Sequence, residues 1–320
     1  MAGNIYIQML LLSRLFASAS AEASEINRLF KAFLIMACII FLLVAGMVLI
    51  GVFRYRKRQT AGEPPQIAGN NVLEITWTVI PFLTLVIFFF VTLHTMNEIE
   101  RPRQARTSPD ILITGHQWWW DLRYLRDQVV TANELHIPVG RQLLLQIESA
   151  DVIHDWWVPE LGRKMDAIPG KSNFLWIEAD RPGTFAGSCN EYCGGEHAWM
   201  RIRVIAQVPE DFDRWLREQK HPPPVPADSI GEAGARIFLG KACSGCHAIA
   251  GTPAQSHIGP ELSHVASRET LAAGVLTNTP ENMTRWMKDP QKVKPGARMP
   301  DFKLNEDELT CLVTYLEGLK

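Results

Sequence analysis

The chain has 320 residues, of which 47% are hydrophobic and 21% are charged. Its 32 Lys and Arg residues nearly balance 34 Asp and Glu residues, so the formal net charge is −2 at pH 7. The absence of a basic excess argues against a nucleic-acid-binding protein, and the length leaves room for two modest globular domains beside a membrane anchor.

Two uncharged apolar stretches predict membrane-spanning helices, at 32–53 and 77–96. Each is about as long as the roughly 20 residues that cross a hydrocarbon core as a helix. Four basic residues follow the first stretch: Arg54, Arg56, Lys57 and Arg58. The positive-inside rule therefore predicts that the connecting loop is cytoplasmic and that both termini lie on the outer side. We take 1–97 as an N-terminal segment that contains this transmembrane hairpin.

A β-rich domain is predicted over 98–220. Short apolar runs bounded by Gly, Pro and Asp predict strands at 111–113, 143–147 and 202–205. We interpret this part as an antiparallel Greek-key β-barrel, followed by a short amphipathic helix over 209–220. The Pro-rich segment 221–229 is expected to be a semi-rigid linker.

A cluster of sulfur and imidazole side chains lies in the second half of this domain. Cys189, Cys193, His197 and Met200 fall within twelve residues, and His154 is the candidate for a second imidazole. Thiolate, thioether and imidazole favour copper, and the cysteine pair could bridge two metals. Two alternatives stay open from the residues alone, a structural zinc site and a disulfide between the two cysteines. The methionine and the lack of a zinc-finger pattern weigh against zinc.

A second redox motif lies in the final domain, 230–320. The run Cys243-Ser244-Gly245-Cys246-His247 is the attachment pattern of a c-type haem, with two thiols for the vinyl groups and an imidazole for the iron. The alternative is a redox-active Cys pair of the thioredoxin type, but the βαβ context that such a pair needs is missing. The domain ends on a predicted amphipathic helix over 305–319, which Asn305 can cap.

Met299 is the predicted second axial ligand of the haem iron, because it offers a soft thioether just before a proline. Met283 and Met287 fall in a predicted amphipathic helix, so we expect them in the core of the domain. His257 and His264 are rival axial ligands.

Residues 154–200, with these ligand spacings, resemble the copper-A motif of cytochrome c oxidase subunit II. Residues 115–120 resemble the aromatic stretch of that family, and the likeness extends over about 30–217. Two departures are Trp119, where the family usually has Tyr, and Asp155, where a small hydroxyl residue is common. Neither residue is a predicted ligand.

The final domain resembles a class I cytochrome c fused to subunit II. Together the two resemblances imply a multidomain fold. It comprises a two-helix transmembrane hairpin, a cupredoxin-like Greek-key β-barrel and an all-α cytochrome c domain.

The resemblance also implies cofactors: two copper ions in a dinuclear copper-A centre, one covalent haem c and a shared magnesium ion. Cys189 and Cys193 are implied to bridge the coppers, and the remaining copper-binding groups are His154, His197, Met200 and the Glu191 carbonyl. The Glu191 side chain is implied to reach the magnesium ion, a hard cation that suits a carboxylate. The implied haem-binding residues are Cys243, Cys246, His247 and Met299.

Two further residues receive roles from the resemblance. Trp118 matches the position at which electrons enter the copper domain, and Glu74 matches the mouth of a proton pathway. No catalytic residue is expected in this chain, because oxygen is reduced on subunit I of such complexes.

The implied function is that of subunit II of a respiratory terminal oxidase. Electrons would pass from a donor through haem c to copper-A and on to subunit I, which reduces oxygen and pumps protons. Expected partners are subunits I and III, membrane lipid, and a soluble or membrane cytochrome c or a quinol-oxidising complex as donor. We expect the chain in the bacterial inner membrane, with both termini and the redox domains on the periplasmic side.

Two other functions stay open. The chain could be the copper-A-containing small subunit of a nitric oxide reductase, which only the identity of its large partner would decide. It could also be a membrane-anchored electron shuttle or copper-delivery protein, although a delivery protein would need only an exposed cysteine pair and not the complete copper ligand set.

Overall fold

The computed structural model of the chain describes residues 17–56, 69–100, 108–226 and 228–320. The chain forms two compact units, Ser24–Pro102 and a larger one that joins Met1–Ala23 to Arg103–Lys320. Lys57 and Arg58, which entered the topology prediction, lie outside the described residues.

The smaller unit contains two long helices, α1 (Ala21–Arg54) and α2 (Asn71–Glu100). They include both predicted spans, and each extends beyond the predicted ends. None of the residues in their most apolar 18-residue windows is buried. Exposed apolar surface on helices of this length is suited to lipid rather than to water.

The β-rich part of the larger unit has ten strands and one helix. They are β1 (Ile111–His116), β2 (Trp119–Tyr124), β3 (Val129–Ala132), β4 (Glu134–Pro138), β5 (Leu143–Ser149), β6 (His154–Trp157), β7 (Met165–Ala167), β8 (Asn173–Ile177), β9 (Gly183–Cys189), β10 (Arg201–Gln207) and α3 (Pro209–Gln219). All three predicted strands are present, and the helix predicted at 209–220 ends one residue earlier.

The strands form two five-stranded sheets, in the orders β3-β2-β1-β5-β8 and β4-β10-β9-β6-β7. The prediction of purely antiparallel pairing was wrong, because β1 pairs with β5 and β4 with β10 in parallel. Between β1 and β5 the chain crosses through β4 in the other sheet. A hairpin turn therefore does not fix the direction in which β5 returns.

The core of this part lies between the sheets. Along β1, Ile111, Ile113 and Gly115 are buried while the residues that alternate with them are only half-buried, the period of two expected of a strand. The largest fully buried side chains here are Trp120, Trp156 and Phe185. This rigid core supports the loops at the ends of β6 and β9.

The chain just before α1 packs against the β-rich part. The Ala19 amide donates to the Glu160 carbonyl at 2.8 Å, and the Asp180 amide donates to the Ala19 carbonyl at 2.7 Å. The Ser20 hydroxyl donates to the Leu161 carbonyl at 2.9 Å. The segment that precedes the first apolar helix and the β-rich part thus lie together.

The C-terminal part is helical, apart from one hairpin of two-residue strands. Its elements are α4 (Ser229–Gly240), β11 (Thr270–Leu271), β12 (Leu276–Thr277), α5 (Pro280–Lys288), α6 (Pro290–Val293) and α7 (Glu306–Gly318). A Cβ atom on Gly234 of α4 would lie 2.1 Å from the Cys311 carbonyl oxygen of α7, so glycine permits these helices to touch. As predicted, Asn305 caps α7, and it forms a capping box with Glu308.

The domain boundaries at 98, 221 and 230 stay predictions, since the β-rich and helical parts belong to one compact unit. A small buried cluster joins these two parts, formed by Trp119, Ala132 and Ala273.

Candidate metal and haem centres

The predicted copper ligands meet at one end of the second sheet. His154 begins β6, Cys189 ends β9, Met200 immediately precedes β10, and the other two lie in the intervening loop. The Cys193 sulfur lies 3.8 Å from the Cys189 sulfur, 3.6 Å from Nδ1 of His197 and 4.0 Å from the Met200 sulfur. Nδ1 of His154 lies 3.8 Å from the Cys189 sulfur. Antiparallel β6 and β9 thus bring together residues that are 35 positions apart.

Glu191 completes the predicted set. Its carbonyl oxygen lies 3.3 Å from the Cys189 sulfur, while its side chain is exposed. Both cysteines are buried and free, and their 3.8 Å separation is far longer than a disulfide bond of about 2.05 Å. The arrangement is therefore a pair of buried thiols with imidazole, thioether and carbonyl groups around them.

Asp151 orients the first histidine and was not predicted. Its Oδ1 lies 2.8 Å from Nε2 of His154, which leaves Nδ1 directed at Cys189. Burial lowers the pKa of His154, but hydrogen bonds with Cys189 and Asp151 outweigh it, so this pKa is raised. A carboxylate on the far nitrogen fixes the tautomer of a metal-binding histidine. Its position three residues before His154 was the signal available in the sequence.

The aromatic stretch 115–120 is hydrogen-bonded to the loop between β9 and β10, which is called the copper ligand loop below. Nε1 of Trp118 donates to the Cys193 carbonyl at 3.1 Å, and Nε2 of Gln117 donates to the same oxygen at 2.7 Å. The Gln117 amide donates to Oδ2 of Asp151 at 2.7 Å. Trp118 is half-buried, so its ring reaches the surface one hydrogen bond away from a predicted bridging cysteine.

A cleft with a largely apolar lining lies in the helical part and reaches the β-rich part. All four predicted haem-binding residues line it: Cys243, Cys246, His247 and Met299. The β-rich part contributes His116, Gln117, Trp118, Trp119 and Asn133 to its wall. One cavity thus contacts both the predicted haem ligands and the predicted site of electron entry.

His247 is prepared to bind a metal through one nitrogen. Nδ1 lies 2.7 Å from the Pro260 carbonyl oxygen, so it is the protonated nitrogen and Nε2 is left for an iron. Burial lowers the pKa of His247, which keeps the ring neutral. A Cβ atom on Gly259 would come within 2.6 Å of the ring, so glycine leaves room for the imidazole.

The rival axial ligands differ in position. His257 is exposed, and His264 is buried with Nε2 3.1 Å from the His221 carbonyl; neither lines the cleft. Met283 and Met287 are buried on α5, as predicted, although both also contribute to the cleft wall. Assignment of Met299 as the axial ligand stays a prediction.

Two charged side chains are buried where the helical and β-rich parts meet. Glu134 of β4 is 1% exposed and accepts from the amides of Glu269 at 2.9 Å and Thr270 at 2.7 Å. Lys294 is 3% exposed and donates to the carbonyls of Trp118 at 2.9 Å and Trp199 at 3.1 Å. Burial raises the pKa of Glu134 and lowers that of Lys294 to about 8. Each charge is thus solvated by backbone groups of the other part.

Glu74, the predicted proton-pathway residue, lies in the first turn of α2 with an exposed side chain. It belongs to the smaller unit, whereas every predicted copper and haem ligand belongs to the larger one.

Comparison with known proteins identifies the family. Residues 8–95 match the model of the cytochrome c oxidase subunit II transmembrane domain, 125–208 the periplasmic domain of the same subunit, and 231–320 cytochrome c. Cytochrome c oxidase subunit 2 of Alkalihalophilus pseudofirmus is 35% identical over 293 residues, which cover 90% of this chain and 85% of that protein. The chain belongs to the cytochrome c oxidase subunit 2 family.

Other members of the family are similar over comparable lengths. Cytochrome c oxidase subunit 2 of Bacillus sp. PS3 is 33% identical, with 84% of this chain and 80% of that protein covered. The protein of the same name from Bacillus subtilis is 32% identical, with 84% and 81% covered. A crystal structure of the periplasmic domain of subunit II from Bradyrhizobium japonicum covers 36% of this chain and 95% of that domain, at 32% identity and a TM-score of 0.35.

Membership in the cytochrome c oxidase subunit 2 family implies a copper-A centre, and the cytochrome c domain implies a haem. The residues fit both groups. The predicted copper site presents two buried thiols beside imidazole and thioether groups. The cleft presents a paired-cysteine motif beside a neutral histidine. The chain is a membrane-anchored electron-transfer subunit that works with subunit I of a haem-copper oxidase.

Sequence reasoning missed Glu134 and Lys294, two of the buried charges of the interface. Lys294 lies in Gln-Lys-Val-Lys-Pro, which reads as an exposed basic loop, and Glu134 lies at the start of a short strand. Neither segment carries a signal of burial, because the residues of the other part that cover it are at least 95 positions away.

Proposed function

We propose that this chain takes electrons from an external donor at haem c and passes them through a dinuclear copper-A centre to subunit I. The observation that carries this route is the position of Trp118, which lines the haem cleft and donates to the Cys193 carbonyl. Its neighbour Gln117 makes both contacts as well, but Trp118 supplies the aromatic ring between the haem cleft and the predicted bridging cysteine. When bound, each centre would take up and release one electron, and subunit I would use the electrons to reduce oxygen and to pump protons.

The proposed copper ligands are those predicted from the family. Cys189 and Cys193 bridge the two ions, and His154 and His197 are terminal ligands. Met200 and the Glu191 carbonyl are weak ligands. Support comes from the burial of both thiols and from contacts of 3.3 to 4.0 Å within the set. Asp151 holds His154 so that Nδ1 stays available to a metal.

The exposed Glu191 side chain is proposed to reach a magnesium ion shared with subunit I. Glu74 is proposed to lie at the mouth of a proton pathway, in keeping with its place in the first turn of α2. For the haem we propose Cys243 and Cys246 as covalent attachments and His247 and Met299 as axial ligands, since all four line one cleft.

The redox domains are proposed to lie on the periplasmic side of a bacterial inner membrane. Arg54 ends α1 and Arg56 follows it, which favours a cytoplasmic loop between the spans. Contacts of Ala19 and Ser20 with the copper domain agree with an N-terminus on the same side as that domain. Subunit III, lipid, and a cytochrome c or quinol-oxidising complex as donor complete the proposed partners.

The route is tested by Trp118→Ala. Flash reduction of the haem, followed by copper-A absorbance, should show slower transfer within the chain, because the residue that spans the two centres is lost. Reduction of the haem by an external donor should not change. Transfer in the parent chain should depend only weakly on salt, since the two domains are already in contact.

Two further variants sharpen this test. Trp118→Phe keeps a ring in the cleft wall but loses the hydrogen bond to Cys193, so it should fall between the parent and Trp118→Ala. Phe174→Ala removes an exposed ring from β8 and should have no effect. An unchanged transfer rate in a folded, fully metallated Trp118→Ala chain would reject the route.

A further inference from the structure

Specific hydrogen bonds and an ion pair connect the haem domain to the copper domain. Amides of Glu269 and Thr270 donate to Glu134, and the Arg201 amide donates to the Ala273 carbonyl at 3.3 Å. Arg203 also forms a 2.6 Å ion pair with Glu269. Hydrogen bonds from backbone amides that cross from one domain to the other, two of them to a buried carboxylate, fix the relative position of the domains more closely than surface ion pairs do.

Lys294 is the haem domain's own buried charge in this interface. Its ammonium is 3% exposed and donates to carbonyls on the copper domain, those of Trp118 and Trp199. Glu196, also buried and next to a predicted copper ligand, attracts it electrostatically. A lysine is almost never buried without partners, and here the other domain supplies most of them.

The two carbonyls belong to residues that lie beside the predicted copper ligands. Trp118 lines the haem cleft and donates to Cys193, and Trp199 is the neighbour of Met200. The same haem-domain segment places the Arg298 guanidinium on the Gln117 side chain. The Lys294 ammonium thus donates to the backbone of Trp118, whose side chain contacts both the haem cleft and Cys193.

We propose that Lys294 is a positioning residue that holds the haem domain against the copper ligand loop and so fixes the haem-to-copper contact at Trp118. Its consequence for electron transfer rests on the proposed function above, whereas its role in docking does not. Removal of the ammonium leaves two interface carbonyls without a donor, and water can satisfy them only if the domains separate.

The test compares Lys294→Met with Lys292→Met in the full chain, loaded with copper and haem. Methionine keeps the length and apolar stem of the side chain but removes its donors. Lys292 is two positions away with a side chain that is 86% exposed, so it controls for the lost charge. Hydrogen–deuterium exchange is measured in peptides that contain the crossing amides of Arg201, Glu269 and Thr270.

We expect Lys294→Met to speed exchange of these amides roughly tenfold, the effect of one lost buried hydrogen-bond partner, and Lys292→Met to change nothing. Exchange within α7 and the optical spectra and potentials of both centres should stay as in the parent chain. Haem-to-copper transfer should become slower and newly dependent on salt, because a separated domain must dock again.

Unchanged exchange at the crossing amides in Lys294→Met would overturn the proposal, and so would equal effects in Lys292→Met. A slower transfer rate with unchanged exchange would also overturn it, because the lysine would then act on a centre and not on docking. Faster exchange with an unchanged transfer rate would support the docking role of Lys294. The same result would reject the separate proposal that Trp118 is the route of electrons.

Discussion

His154 can offer only one ring nitrogen to a metal, because Asp151 takes the other. His247 is held in the same way by the Pro260 carbonyl. In both cases a hydrogen-bond acceptor on the far side of the ring selects the tautomer, so the lone pair that binds a metal is in place beforehand. The ligand types were predictable from the sequence. The position of Asp151 three residues before His154 was a weak signal for the first acceptor, whereas the Pro260 carbonyl has no residue-type signal.

The cysteine pair predicts the metal count. An unpaired electron shared by two copper nuclei gives a seven-line paramagnetic-resonance pattern, and one on a single copper gives four lines. We expect two coppers per chain and seven lines. Cys189→Ser should abolish the shared-valence signal, while Cys311→Ser, a change at a half-buried cysteine of α7, should leave it intact. One copper per chain with four lines would contradict the dinuclear assignment.

Met200 differs from the cysteines in chemical role. Its sulfur lies 4.0 Å from the Cys193 sulfur and is fully buried, as expected of a weak axial ligand. Cys189 and Cys193, by contrast, are the groups that would carry most of the metal–ligand bonding. We therefore expect a thioether in this position to tune the potential without being needed to retain the metal.

Met299 is expected to be the axial haem ligand. Met299→Ala should remove the weak sulfur-to-iron absorption band and lower the potential, because methionine ligation raises it. The haem should stay attached through Cys243 and Cys246. In contrast, Met283→Ala should keep the band and cost about 2–5 kcal/mol of stability, because that side chain is 2% exposed in the core. Persistence of the band in Met299→Ala would reject the assignment.

At the scale of whole elements, the local sequence predicted the positions of helices and strands well, because these positions depend mainly on neighbouring residues. The strands β1, β5 and β10, the helices α3 and α7 and both long apolar helices all occur where apolar runs or an amphipathic pattern indicated them. The prediction of antiparallel pairing was wrong for the β1–β5 and β4–β10 pairs. Both pairs join strands that are distant in the chain, and their direction depends on crossings between the sheets that periodicity does not encode.

Helix α3 is attached to the copper domain through a histidine, which predicts a pH dependence. The His136 ring stacks on Trp215 of α3 at 4.1 Å, and Nδ1 lies 2.9 Å from the Gln207 side chain. Burial lowers the pKa of His136 to about 4. The unfolded chain takes up a proton near pH 6.5 and the folded chain resists until about pH 4. Stability should therefore fall as pH decreases through this window.

The loss should amount to roughly 1–3 kcal/mol between the ends of that window. It can be measured as the urea midpoint at which copper-A absorption disappears. Because copper ligands also titrate, the comparison is with His136→Gln, which keeps a polar planar side chain but cannot be protonated. If both chains lose stability equally on acidification, His136 does not cause the dependence.

At the scale of the molecule, the order of membrane anchor, copper domain and haem domain followed from composition and motifs. Packing of the last two against each other did not. Two of its buried charges, Glu134 and Lys294, occur in segments that resemble ordinary surface, and each is stabilised by backbone of a distant part. Long-range burial of this kind is a property of the assembled fold and leaves little trace in a local window.

The wall that the copper domain contributes to the haem cleft also has a consequence for biogenesis. Porphyrin attachment requires that maturation enzymes reach Cys243 and Cys246, yet Trp118 and Trp119 cover part of the same cavity. We therefore expect haem insertion to precede closure of the two domains. If a disulfide engineered between the domains is formed before haem is supplied, haem staining of the chain should be lost, and the reduced form should recover it. A chain whose two domains close before haem is attached would not become functional. The timing of domain closure relative to haem attachment would therefore govern the yield of functional oxidase.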